Sequence, residues 1–180
     1  MKKQILLLPI LMLVFMFTSC TDDSDLVNEE EVITTMTVTL NPDTGGTDVV
    51  LQTRDLDGEG GEDPTVTVTG GPLTSGVSYS GSIVLLNEID NVNVTEEIDD
   101  EDDKHQFFFV VGSGLDVTTS YDDQDGNGNP VGLSFTLTAG SASGGDFTVT
   151  LRHEPTKPNT GINDAGGETD IEETFVITIQ

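Results

Sequence analysis

Apolar and polar residues alternate along most of the chain after residue 30, a pattern typical of β-strands with one buried face. In the first such segment, Val32, Met36, Val38 and Leu40 alternate with a series rich in threonine. The same period predicts further strands over 48–53, 65–69, 77–86, 106–111, 115–120, 133–138, 147–153 and 173–179. Val, Ile, Thr and Phe favour a pleated surface, and Gly, Asn, Asp and Pro clusters separate the runs.

These segments predict an all-β fold. About nine short strands with turn signals between them favour an antiparallel β-sandwich of eight to nine strands, immunoglobulin-like in general plan. Helical patterning is brief: Thr95 offers an N-cap, and Glu96 and Glu97 suit a first turn. The run Phe107–Phe109 puts apolar side chains on both faces of one strand. That strand is either central and covered on both sides, which we favour, or it exposes Phe108 to a partner.

The N-terminus has the organisation of a secretion signal. Lys2 and Lys3 precede an apolar stretch over residues 5–17, which is shorter than the roughly 20 residues of a membrane-spanning helix. The stretch ends in Phe-Thr-Ser and then Cys20, a sequence that resembles the lipobox of bacterial lipoproteins. We therefore expect a signal peptide over 1–19, a lipidated acidic tether over 20–30 and a single β-sandwich domain over 31–180.

The lipobox resemblance implies an exported protein with a lipid on Cys20. Two or more acyl chains give stable attachment, so the membrane is expected as a partner through the lipid anchor only. The acidic run over residues 21–25 resembles the surface-export tag of some Gram-negative lipoproteins, and a plain solvated tether is the alternative. Thr21 follows the cysteine where an inner-membrane retention signal would have Asp, so we expect the outer membrane, with the domain facing either the periplasm or the cell surface.

Acidic residues dominate the charge. The chain has 33 Asp and Glu against 6 Lys and Arg, a formal net charge of −27. This charge excludes nucleic acid as a partner, since phosphate binding needs clustered basic residues, and it opposes contact with anionic headgroups. Seven of the eight residues over 96–103 are acidic. We expect that segment to be extended or frayed, either as a solvated loop or as a cation-loading surface.

Two Asp/Gly-rich loops carry oxygen ligands at alternate positions before a glycine. The residues are Asp55, Asp57 and Glu59 in the first loop, and Asp123, Asp125 and Asn127 in the second. Both loops resemble the first half of an EF-hand-like loop, which implies calcium as a cofactor. The twelfth position, normally Glu, is Val66 or Ser134, so other groups must complete the shell. The alternative is that each loop is simply a turn between strands.

A transition-metal site is a second candidate. His105 and His153 are the two histidines of the chain, and Glu154 follows the second directly. If their strands are neighbours, both histidines could join Glu154 or Asp103 around zinc or a similar ion. The sequence spacing does not support this arrangement, and two unrelated surface histidines are the alternative.

Two functions from different classes remain open. The first is a lipid-anchored binding protein of the cell envelope, accessory to capture of a ligand or metal ion and working beside an outer-membrane receptor. The second is a calcium-stabilised structural or adhesive surface lipoprotein without a transported ligand. The chain contains neither a G-x-S-x-G nor an H-E-x-x-H motif, and we expect no enzymatic activity.

Overall fold

A computed structural model of the chain describes residues 31–58 and 61–180. The predicted signal peptide, the lipidation of Cys20 and the acidic tether lie outside the described residues, as does Glu59 of the first Asp/Gly-rich loop. In the part of the chain that is described, no helix is long and apolar enough to cross a bilayer.

The described chain forms ten strands and two short helices. The strands are β1 (Thr35–Pro42), β2 (Val49–Arg54), β3 (Thr65–Thr69), β4 (Ser78–Asn87), β5 (Val92–Asn93), β6 (His105–Val111), β7 (Val117–Tyr121), β8 (Ser134–Ala139), β9 (Ser143–His153) and β10 (Glu168–Ile179). The helices are α1 (Val94–Asp100) and α2 (Ile162–Ala165). Each of the nine predicted strands is present; the bounds of β3 are those predicted, and the other eight have at least one end shifted by a few residues.

Two antiparallel sheets make up the fold. The larger has the order β3-β2-β1-β4-β8-β7, with β5 paired to β4, and the smaller has the order β10-β9-β6. The buried side chains of both sheets form one hydrophobic cluster, which includes Met36 and Val38 from the larger sheet and Phe147 and Phe175 from the smaller. Apolar residues of the two sheets therefore meet face to face, which confirms the predicted all-β sandwich.

Strands β9 and β10 are longer than the alternation of apolar and polar residues predicted. β9 begins at Ser143 and β10 at Glu168, although residues 143–146 and 168–170 include no apolar side chain. These residues belong to strands because β9 and β10 pair with each other from Glu168 opposite His153 to Ile179 opposite Ser143. Pairing with a neighbour thus extends the strands beyond their locally encoded part.

The acidic segment over 96–103 is helical up to Asp100 instead of extended, and this helix is the short one that the residues from Thr95 to Ile98 favoured. α1 buries Val94 and Ile98 in the core, and these contacts hold the helix against the larger sheet. Its N-cap position is Asn93 instead of the predicted Thr95. The Thr95 hydroxyl donates to the Leu85 carbonyl (3.1 Å) and accepts from the Leu85 amide (2.8 Å). Apolar anchoring therefore outweighs repulsion among the carboxylates.

The triple-phenylalanine strand is buried but not central. Phe107 is fully buried and Phe108 is 3% exposed, so side chains on both faces of the strand are covered, as expected. The expected central position is wrong, because β6 forms an edge of the smaller sheet. A loop covers that edge, since the Phe107 amide donates to the Val131 carbonyl (2.7 Å) and the Tyr121 hydroxyl donates to the Phe107 carbonyl (2.8 Å).

Gly81 in β4 lies under an aromatic ring, which gives a stability prediction. It is paired with Phe135 of β8, and a Cβ at Gly81 would lie 2.5 Å from the Phe135 ring. Gly81→Ala is expected to destabilise the fold by about 1–3 kcal/mol because the fully buried ring must shift. Urea unfolding measures the change, and Gly126→Ala, where nothing lies within 4 Å, is the matched control. Equal stability of both variants would contradict the packing of Phe135 on Gly81.

Candidate metal centre

The two histidines are neighbours across the smaller sheet. His105 is the first residue of β6, His153 is the last residue of β9, and the two face each other in the pairing register. His153 continues the buried alternation of Phe147, Val149 and Leu151, so its side chain lies on the core side. The imidazole centroids are 4.7 Å apart. The two rings therefore meet at one end of the sandwich.

A bulge in β10 adds a carboxylate. Thr169 pairs with Arg152 and Ile171 pairs with Leu151, so the register shift leaves Asp170 as the extra residue between them. A bulge re-aims the side chain that it displaces, and here an Asp170 carboxylate oxygen lies 3.8 Å from His153 Nδ1. Gly167 precedes the strand with φ of 72°. A side chain there would overlap the His153 carbonyl, so this approach of β10 requires glycine.

Glu31 provides the fourth group, from outside the smaller sheet. It lies in the segment that leads into β1, the strand at the centre of the other sheet. Its carboxylate oxygens lie 3.2 Å from His105 Nε2 and 3.5 Å from His153 Nδ1. One carboxylate therefore contacts both imidazoles, and the segment before β1 is brought against the smaller sheet.

The four side chains form a buried group that we call the metal centre: Glu31, His105, His153 and Asp170. One ligand atom from each lies within 4.8 Å of all the others. The side chains of His105 and Asp170 are fully buried, and those of Glu31 and His153 are 5% and 6% exposed. Glu31 Oε2, His105 Nε2 and His153 Nδ1 are buried without a hydrogen bond. Because buried polar atoms normally have a partner, the centre has the chemistry of a site for a cation.

The orientation of His105 suits a metal ligand. Its Nδ1 lies 3.1 Å from the Glu101 carbonyl oxygen. A carbonyl can only accept, so Nδ1 carries a hydrogen, and Nε2 is the ring nitrogen that faces the other ligands and would bind a metal. A backbone carbonyl that fixes the tautomer in this way is the usual outer partner of a metal-bound histidine. Two imidazole nitrogens and two carboxylates form a donor set that zinc and similar divalent ions accept in tetrahedral geometry.

The structure brings together the two predicted histidines but not the predicted glutamate. Glu154 is exposed, has φ of 47° and donates its backbone amide to the Lys104 carbonyl (2.6 Å). Asp103 is also exposed and outside the centre. The carboxylates that converge are Glu31 and Asp170, which the sequence interpretation did not identify. The sequence signal for this site concerned a histidine: His153 falls in phase with the buried residues of β9 and so lies on its core side.

The first Asp/Gly-rich loop has the hydrogen bonds of a turn over its described residues. Asp55 Oδ1 accepts from the amides of Asp57 (3.2 Å) and Gly58 (2.9 Å), and Asp57 Oδ2 accepts from the Glu62 amide (2.9 Å). The hydrogen bond from the Glu62 amide is the largest of the effects that lower the pKa of Asp57. Both carboxylates therefore stabilise the loop backbone, and calcium binding there remains a prediction.

In the second loop, the side chain of Asp125 is fully buried and forms a hub. It accepts hydrogen bonds from the amides of Asn127 (2.9 Å) and Asn129 (2.8 Å), and it lies 3.4 Å from Lys157 Nζ. Burial by itself raises the pKa of Asp125, but the hydrogen bonds from Asn129 and Asn127 and the charge of Lys157 outweigh it and lower the pKa. Asp123 accepts from two further amides. These contacts favour the turn interpretation.

The metal centre thus differs from the two Asp/Gly-rich loops in what its side chains face. Among residues 31–58 and 61–180, the metal centre is the one convergent group of three or more His, Cys, Asp or Glu ligands. The carboxylates of the second loop are directed at amides and at a lysine. Comparison of the chain with protein-family models, with curated proteins and with solved structures found no match. The geometry of the metal centre is therefore the feature that bears on function.

Proposed function

We propose that this protein is a lipid-anchored, metal-binding protein of the cell envelope that holds one zinc-class divalent ion in the metal centre. The observation that carries the proposal is the convergence of four buried ligand atoms within 4.8 Å of one another. Two of them are imidazole nitrogens, which distinguishes the centre from the all-oxygen sites that calcium and magnesium prefer. The lipid anchor and the place in the outer membrane come from the lipobox resemblance at Cys20.

The arrangement supports binding in preference to catalysis. Catalytic zinc sites keep an open position for water or substrate, whereas structural and storage sites surround the ion with four protein ligands. Here four protein ligands converge and all are at least nine-tenths buried. The net charge of −27 raises the local concentration of cations around the domain. Both features suit a protein that captures a metal ion at the envelope, beside a receptor that would take it up.

A titration of the purified protein with zinc in a calorimeter tests this proposal. We expect one ion per chain, and we expect His105→Ala combined with His153→Ala to abolish the high-affinity binding, since two of four ligands are lost. Glu154→Gln is the matched control, because this residue adjoins His153 in sequence but lies outside the centre, and it should bind zinc as the unmodified protein does. Zinc binding that survives the double histidine variant would place the ion elsewhere and contradict the proposal.

A further inference from the structure

The metal centre is closed, so an ion can enter or leave only when a ligand moves. None of the four ligand side chains is more than 6% exposed. Motions that open a buried site come from segments with few hydrogen bonds and contacts, because opening them costs least. The backbone around each ligand therefore indicates which one moves.

Three ligands are held by the sheet. His105 belongs to β6, which is paired with β9, and His153 ends β9, which is paired on both sides. Asp170 lies at the bulge of β10, between residues paired with Arg152 and Leu151. Moving any of these three requires breaking part of a strand ladder. We expect them to stay in place while an ion exchanges.

Glu31 is held differently. Residues 31–34 precede β1 and have no regular secondary structure, and Val32 is 60% exposed. The segment is fixed at Thr34, whose amide donates to the Leu86 carbonyl (2.9 Å) and whose carbonyl accepts from the Asp55 amide (2.8 Å). Ile33 packs against the core. Residues 31 and 32 can therefore move without disturbing either sheet.

We propose that Glu31 is the movable ligand that controls uptake and release of the ion by the metal centre. This inference rests on the proposed zinc-class binding. When Glu31 swings out, His105, His153 and Asp170 remain as three ligands with one open position, the state in which a zinc site exchanges ligands. An acceptor that offers nitrogen or oxygen ligands could then take the ion. The three ligands on the smaller sheet hold the ion while Glu31 is displaced, and the segment before β1 controls the rate of exchange.

The test measures zinc exchange kinetics on the purified full chain, with a chromogenic zinc chelator following release and stopped-flow mixing following uptake. Glu31→Ala is expected to speed both uptake and release by about tenfold or more, because no side chain at this position then covers the site and binding no longer waits for a conformational change. Asp170→Asn is expected to speed release alone, since uptake still requires Glu31 to move. Glu154→Gln should exchange zinc at the rates of the unmodified protein.

The outcomes separate this inference from the proposed function. Uptake by Glu31→Ala at the unmodified rate would overturn the movable-ligand role and leave the metal centre intact, whereas a chain that binds no zinc would overturn both. Hydrogen exchange on the unmodified protein avoids reliance on any variant. Zinc should slow exchange of the Val32 and Ile33 amides several-fold more than that of the β9 amides. Equal effects on the two segments would also overturn the role of Glu31.

Discussion

Zinc at saturating concentration is expected to raise the melting temperature of this protein by about 8–16 °C. A ligand present at about 1,000 times its dissociation constant stabilises the native state by about 4 kcal/mol, and each kcal/mol shifts a domain of this size by about 2–4 °C. The effect should be large because a bound metal would join Glu31, which precedes the first strand of the larger sheet, to three ligands on the smaller sheet. Differential scanning calorimetry with zinc and then with excess chelator measures the shift.

Two controls make this result specific. Magnesium, which prefers oxygen ligands and keeps several of its waters, should leave the melting temperature nearly unchanged. The His105→Ala, His153→Ala double variant should melt at the same temperature with and without zinc. A zinc-induced increase that persists in that variant would show that the ion stabilises the fold from another site.

Asp125→Ala is expected to destabilise the protein by about 3–5 kcal/mol, equally in calcium and in chelator. Removing one partner of a buried ion pair leaves the other charge uncompensated, and the side chains of Asp125 and Lys157 are 0% and 5% exposed. The amides of Asn127 and Asn129 would lose their acceptor as well. Urea unfolding in each buffer measures the loss, and Asp57→Ala in the exposed first loop is the control with a much smaller effect.

The same experiment distinguishes a structural turn from a calcium site. If Asp125 holds calcium, chelator should destabilise the unmodified protein and calcium should not affect Asp125→Ala. If it stabilises a turn, chelator should leave the unmodified protein unchanged. The lowered pKa of Asp125 adds a pH dependence: its contribution is complete above the unfolded-state pKa of about 3.9 and is lost as the pH falls through the folded-state pKa.

Much of the fold was predictable because most of the strands encode their own buried face. Val38 and Leu40 in β1, or Phe175 and Ile177 in β10, alternate with polar residues whatever strand lies beside them. Prediction failed where pairing or anchoring decides the structure. The first residues of β9 and β10 are strands only because they pair with each other, and α1 is helical because Val94 and Ile98 reach the core.

The metal centre was likewise predictable only in part. From the sequence alone, His105 and His153 were the two candidate imidazole ligands, and the alternation that ends in Leu151 already placed His153 on the buried face. The sequence also determined the β-sandwich and the acidic charge of −27. It did not identify the carboxylate ligands, because Glu154 is nearest in sequence but lies outside the centre.

Only the tertiary structure decided which residues meet. The pairing of β6 with β9 joins histidines that are 48 positions apart, and a one-residue bulge in β10 directs Asp170 toward them. Glu31 arrives from the segment before the other sheet. Strand order, register and bulges arise from contacts between distant segments, whereas alternation reports only which face of each strand is buried. A site assembled from four such segments is therefore set by the packing of the sandwich.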